Sequence, residues 1–263
     1  ALSALGIVML FSTGAFAQES HGDIYFFVKR QAFWLTISLL CALIGALVDY
    51  HWWRKSWWLV FIISLALLIL CFVPPIGLRI NGSRRWIQLG FGTFQPSELA
   101  KVAVVFFTAW WFEKFEKDAG RFFKGFVFPI AIVSLVLVPI SRQEDLGYTA
   151  LIGAAVLCVM FVAGMRLRWI LPIVLVGVVG ILYLAIHIEE RRDRLLAFLN
   201  PEEYQASGGY QQLQGLIAIG SGGVDGLGLG EGRQKMLYLP YAHTDFIFPM
   251  IGEELGLRVT LVI

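Results

Sequence analysis

The chain has 263 residues, 58% of them hydrophobic and 15% charged, with a mean hydropathy of +0.72. Soluble domains carry about 45–50% apolar and about 25% charged residues, so these values argue against a disordered chain, a disulfide scaffold or a nucleic-acid binder. The formal net charge of +2 is silent on partners, because where charge sits relative to a membrane matters more than its sum.

A membrane-spanning helix needs roughly 20 mainly apolar residues. Charge-free runs of this kind lie at 1–18, 31–48, 56–78, 125–141, 146–165 and 169–188, and two more, about 96–112 and 246–263, carry ionisable residues. The expectation is an all-α polytopic membrane protein, a single domain over 1–263 with eight transmembrane segments. Ala15-Phe16-Ala17 offers a signal-peptidase pattern, but no basic segment precedes it, so a first spanning helix is the better reading. The first run lacks a starting Met and the last stops mid-pattern, so the chain is expected to be trimmed at both ends. Cys41, Cys71 and Cys158 all fall in apolar runs without a CxxC pair and read as small buried hydrophobes.

With the N-terminus inside, the loops 49–55, 113–124 and 166–168 face the cytoplasm and hold eight Lys and Arg residues. The short outward loops hold six: Lys29, Arg30, Arg79, Arg84, Arg85 and Arg142. This bias is small for a positive-inside pattern, and the outward arginines suggest that an anion meets them there. The stretch 189–245 becomes a large extracytoplasmic loop between the seventh and eighth segments. It opens on "EERRDR", which reads as an extension of the seventh helix. A turn at Asn200-Pro201 and a helical stretch around 209–219 follow. Seven glycines lie between Gly220 and Gly232, without a nucleotide-binding fingerprint, and suit tight turns and close backbone approach.

Ionisable groups inside a span cost about 2.5–3.5 kcal/mol each and need a partner or a purpose. In "QPSELAK" at 95–101, Pro96 suits a first helical turn, and Glu98 and Lys101 share one helix face where they can pair. Before it, "NGSRRWIQLGFGTF" at 81–94 reads as a loop. Its Arg84, Arg85 and Trp86 suit phosphate oxygens at a membrane surface, and equally a plain interfacial anchor. In "RQEDLGYTA" at 142–150, Asp145 reads as a helix N-cap that can also orient a loop. Arg233 and Lys235 put positive charge after the glycines. In "YLPYAHTDFIFPMIGEELG" at 238–256, His243 and Asp245 stand where the outer loop enters the last segment. There a carboxylate can act as general base, or Thr244 or Asp245 can simply cap the helix. Glu253 and Glu254 should face the protein interior or the far interface. HExxH, GxSxG and DxD signatures are missing, so zincin and serine-hydrolase chemistry is unsupported.

Taken in order, "NGSRRWIQLG", "QPSELAK", "QEDLGYT" and the run from "GYQQLQGLIAIGSGG" to "GEELGL" resemble the SEDS family (shape, elongation, division and sporulation) over nearly the whole chain. "FVAGM" at 161–165 and "LPYAHTDFIF" are most similar to its division branch; the elongation branch stays open. The resemblance implies ten membrane helices, so two C-terminal ones beyond this chain, and an N-in orientation in the bacterial inner membrane with an outward-facing active site. It implies polymerisation of lipid II into glycan strands during septal cell-wall synthesis, beside a class B penicillin-binding protein and other division membrane proteins. Asp245 matches the family's essential outer-loop aspartate, Glu98 and Lys101 the polar pair of its cavity, and Asp145 the aspartate of its QPDLG motif. Glu144 stands for the usual Pro, Tyr148 where Thr is common, and Gly215 for a common Ser.

On this resemblance Asp245 deprotonates the acceptor's 4-hydroxyl, which attacks the donor sugar's C1 with inversion. The substrate-binding set is expected to be Arg84, Arg85, Trp86, Gln95, Arg194, Gln211, Arg233, Lys235 and His243, with a divalent cation, Mg or Mn, as an option at the leaving pyrophosphate. A lipid II transporter lined by Glu98 and Lys101, or a non-enzymatic division scaffold, remain alternatives at the level of sequence.

Overall fold

The computed structural model describes residues 2–14, 23–74, 76–80, 82–89, 92–205, 209–236 and 238–263. Ala15-Phe16-Ala17 therefore lies outside the described residues. The chain forms two compact units, Val48–Ile181 and the pair of segments Ala1–Leu47 and Leu182–Ile263.

In the first of these, Asp49 accepts a bond from the His51 amide at 2.9 Å and starts helix α3, Tyr50–Leu70. Three antiparallel strands follow in the order β1-β2-β3: Gly77–Ile80, Ser83–Leu89 and Gly92–Phe94. This sheet corrects the all-α expectation and the reading of 81–94 as a loop. Its register pairs Ile80 with Ser83, leaving a two-residue connection, and Gly82 takes φ 86°. Asn-Gly between strand-forming residues is a strong hairpin signal, and Gly82 supplies left-handed backbone of the kind such turns use.

Helix α4, Pro96–Lys114, has Pro at its first turn, as expected. Ser97, Ala100, Val104, Phe107 and Thr108 recur at helical spacing and are buried; the small ones let neighbouring helices approach closely. A π-helical turn, Phe122–Val127, leads into α5, Phe128–Arg142, and Asp145 caps α6, Leu146–Val162. Phe61 and Leu68 of α3, Phe107 of α4, Val136 and Ile140 of α5, and Ile152 and Met160 of α6 form the core. Helix α7, Leu167–His187, runs out of this unit and into the other.

The other unit contains α1 (Leu2–Gly14), α2 (Phe26–Leu47), α8 (Glu189–Leu199), α9 (Tyr210–Gly222) and α10 (Ile247–Thr260). Ile188 adopts extended backbone, φ −96° and ψ 114°, so the charged run begins a new helix and does not prolong α7. α10 is interrupted at Gly256, where φ is 75° and ψ 179°. There the glycine loop runs alongside it. Leu227 N donates to Glu253 O at 2.9 Å, Gly228 N to Glu254 O at 3.0 Å, and Leu257 N to Gly223 O at 3.0 Å. A Cβ on Gly222 would lie 2.0 Å from Gly252 O, so the close backbone approach read from the glycines is physically required.

Among the described residues, four helices are long and apolar enough to cross a membrane: Phe26–Leu47, Tyr50–Leu70, Phe122–Arg142 and Leu167–His187. α1 and α6 are apolar but shorter. α2 buries no residue, and Leu39, Leu43, Leu175 and Val176 are all exposed, so these helices present an apolar exterior suited to lipid. The chain is a mostly helical, polytopic membrane protein. Cys71 is buried as expected; Cys41 and Cys158 are instead exposed on α2 and α6. Helix spacing turns these two outward, which an apolar run alone does not reveal.

Candidate functional site

In the unit Val48–Ile181, one polar chain connects the sheet to two helices. Arg85, on β2, donates through Nε to Gln143 O and through Nη2 to Glu144 O, both at 3.0 Å, and its Nη1 lies 3.5 Å from Asp145 Oδ2. The buried Asp145 carboxylate accepts from Tyr148 N at 3.2 Å, the N-cap that the sequence predicts. Tyr148 donates its hydroxyl to Glu98, and Glu98 pairs with Lys101 at 2.8 Å. The Lys101 ammonium also sits 4.8 Å from the Tyr148 ring centre. The structure thus joins Arg85, Asp145, Glu98 and Lys101, and adds Tyr148 as the link between the two carboxylates. Its aromatic ring, three residues after the cap, was the available signal.

Glu144 takes φ 61°. Proline is locked near −65°, so the Pro that the resemblance implies at 144 could not hold this backbone. Gln143 is buried and donates to Leu68 O at 3.4 Å. Beside this turn, Arg79, Arg84 and Arg142 line a cleft of about 250 Å³ with Ser83 and Glu144. Arg84 reaches Phe72 O at 3.4 Å and Arg79 donates to Gly82 O at 3.0 Å, so backbone carbonyls hold two of these arginines in place. Trp86 is half-buried in β2, opposite Leu78. Gln95 occupies the cap position of α4, where its carbonyl, not its side chain, accepts from Glu98 N at 3.1 Å.

In the other unit, Asp245 is exposed in the turn 241–246, and its carboxylate has no hydrogen bond or ion pair among the described residues. The turn is closed by Thr244 N donating to Tyr241 O at 3.0 Å, with Tyr241 at φ 57°. Phe246, not Thr244 or Asp245, holds the cap position of α10, and without a side-chain cap, so the capping alternative is corrected. His243 packs its ring 4.4 Å from that of Phe27. Arg194 on α8 and Arg233 are exposed, and Gln211 on α9 is half-buried; among the described residues no hydrogen bond or ion pair joins these three to Asp245.

Lys235 departs from its expected place at a leaving group. It is 3% exposed, and its ammonium lies 2.6 Å from Glu254 Oε1, 2.8 Å from Ser12 Oγ and 2.6 Å from Gly230 O. Glu254 also accepts from Gly230 N at 2.9 Å, and Glu253 from Arg233 N at 2.8 Å. Both glutamates are 1% exposed, as expected for interior-facing acids. A buried cation so placed is a structural tie from α1 through the glycine loop to α10. No sequence signal joined Ser12 to a residue more than 200 positions away.

Among the described residues no three His, Cys, Asp or Glu side chains gather as metal ligands. Glu98, Asp145, Glu253 and Glu254 are already engaged by lysine, arginine or backbone amides. These four carboxylates make no ready-built site for the divalent cation that the resemblance implies, and the chemistry is derived without one.

The family described as cell cycle protein, FtsW/RodA/SpoVE, matches residues 1–263. The probable peptidoglycan glycosyltransferase FtsW of Geobacter metallireducens is 37% identical over 264 residues, spanning 100% of this chain and 70% of that protein. The protein of the same name from Legionella pneumophila is 41% identical over 255 residues, spanning 97% of this chain and 64% of its own. Among solved structures, a chain from a peptidoglycan synthase complex coordinating polymerization and crosslinking superposes with TM-score 0.68 at 24% identity, over 99% of this chain and 71% of that one. The rod shape determining protein RodA of Thermus thermophilus gives TM-score 0.53 at 23% identity, over 100% of this chain and 92% of that one. At these identities the two structures establish the fold alone.

Proposed function

Because the chain belongs to the FtsW/RodA/SpoVE family, we propose that it is a peptidoglycan glycosyltransferase of the division type, polymerising lipid II into glycan strands. The observation that carries this is similarity over 97–100% of this chain, at 37–41% identity, to relatives named for that activity. The layout that accompanies it is N-in, with eight membrane segments in this chain and the 189–245 segment outside the bacterial inner membrane. A class B penicillin-binding protein would crosslink the product.

The chemistry asks for a base at the acceptor hydroxyl and cations at the departing pyrophosphate. Asp245 suits the first: its carboxylate is exposed and engaged by no other described side chain. It would take the proton of the acceptor's 4-hydroxyl as that oxygen bonds to C1 of the donor. The C1–O bond to pyrophosphate breaks on the opposite face, its electron pair leaving with the lipid diphosphate, and the configuration inverts. Arg194 and Arg233, exposed in the same unit as Asp245, are candidates to take up the growing charge. Within Val48–Ile181, Arg85, Asp145, Tyr148, Glu98 and Lys101 form a network of fixed polar groups of their own.

The deciding experiment gives the purified protein, with its transpeptidase partner, labelled lipid II. Glycan polymer is the expected product. Transbilayer movement of the label without polymer would make the protein a transporter, and neither would leave a scaffold.

A further inference from the structure

We propose that the end of the Val48–Ile181 unit remote from the sheet binds the headgroup of an anionic phospholipid. This goes beyond the glycosyltransferase reading and does not depend on it. α3 enters the sheet at its C-terminus and α4 leaves the sheet at its N-terminus, so the start of α3 and the end of α4 share the opposite end of this unit. A cavity of about 640 Å³ opens there, lined by His51, Arg54, Lys55, Trp57, Trp58 and Trp110. That volume falls in the range of ligand sites.

Its walls carry no carboxylate. Two acids outside the lining hold two of its residues: Glu113 meets Arg54 Nη1 at 3.0 Å, and Asp49 meets His51 Nδ1 at 2.8 Å. Arg54 and His51 line the cavity while held in this way. Lys55 has no carboxylate partner among the described residues. The site therefore offers one planar fork and one ammonium, the pair of donors that a phosphodiester can use.

The indoles decide between a lipid and a soluble anion. Trp57 and Trp110 lie 4.5 Å apart with their planes 31° apart, giving a stiff apolar wall, while Trp58 is 52% exposed. Six of the nine tryptophans, Trp52, Trp53, Trp57, Trp58, Trp110 and Trp111, cluster at this one end. Tryptophan favours the headgroup level of a bilayer, where basic pockets between helices take anionic lipid. Indole faces against a glycerol backbone, with cations at the phosphate, match a lipid; a free phosphate would gain nothing from them.

The test uses the purified protein in nanodiscs of phosphatidylcholine containing phosphatidylglycerol, with retained lipid counted by native mass spectrometry. Wild type should retain phosphatidylglycerol selectively. Arg54→Gln with Lys55→Gln should lower that retention roughly thirtyfold. Trp58→Ala, at an exposed position outside the core, should lower it as well. Lys117→Gln with Arg121→Gln removes equal charge from the same end outside the cavity, and should leave retention unchanged. Equal losses in both double variants, no lipid selectivity in wild type, or displacement by millimolar inorganic phosphate would each overturn the proposal.

Discussion

The buried ion pair between Lys235 and Glu254 is held by Ser12 and by the backbone of Gly230, so neither charge meets solvent. Removing one member strands the other. Glu254→Gln should destabilise the fold by about 3–5 kcal/mol, whereas Lys235→Met with Glu254→Leu should recover much of that loss. Thermal unfolding in detergent reads both, and a mild Glu254→Gln would show the pair to be dispensable. Gly226 is as constrained. It holds φ 82°, and a Cβ there would lie 2.3 Å from Glu254 O. Gly226→Ala must therefore displace the loop from α10; a melting temperature equal to wild type would contradict this reading.

At the scale of elements, α6 begins where Asp145 both caps the helix and meets Arg85. Asp145→Ala loses cap and ion pair together and should cost about 0.5–2 kcal/mol from the cap alone. Asp145→Asn keeps the cap and loses only the charge, so it should stay closer to wild type in unfolding experiments. At the start of α3, the His51 amide, and then its side chain, hold the Asp49 carboxyl below its ordinary value. A lowered folded value means that this contribution is present above the ordinary carboxylate range and lost as pH falls through the folded one. Acid should therefore loosen α3 first at its N-terminus, and Asp49→Ala should abolish that dependence in hydrogen exchange.

Across the whole molecule, what could be read from the chain alone depended on how local its cause was. The Glu98–Lys101 pair, the Pro96 start and the Asp145 cap each rest on residues within one helical turn, and each stands where spacing places it. The sheet was equally local, yet the Asn81-Gly82 hairpin signal lay inside a segment read for its arginines. Lys235 was beyond reach for the opposite reason: its environment is assembled from α1, the glycine loop and α10, distant in sequence. Asp245 stands between these cases. Sequence picks it out, and the structure adds that it neither caps α10 nor pairs with another described side chain.

The reading of the molecule as a lipid II polymerase with an aspartate base is tested most directly at Asp245. Glycan synthesis from lipid II should be compared between wild type and Asp245→Asn, each purified with the transpeptidase partner. Asp245 is exposed, so the variant should melt with wild type. Its polymerisation rate should nevertheless fall about 10²–10⁴-fold, the usual contribution of a positioned base. Glycan chains made by the variant at a near wild-type rate would contradict the assignment.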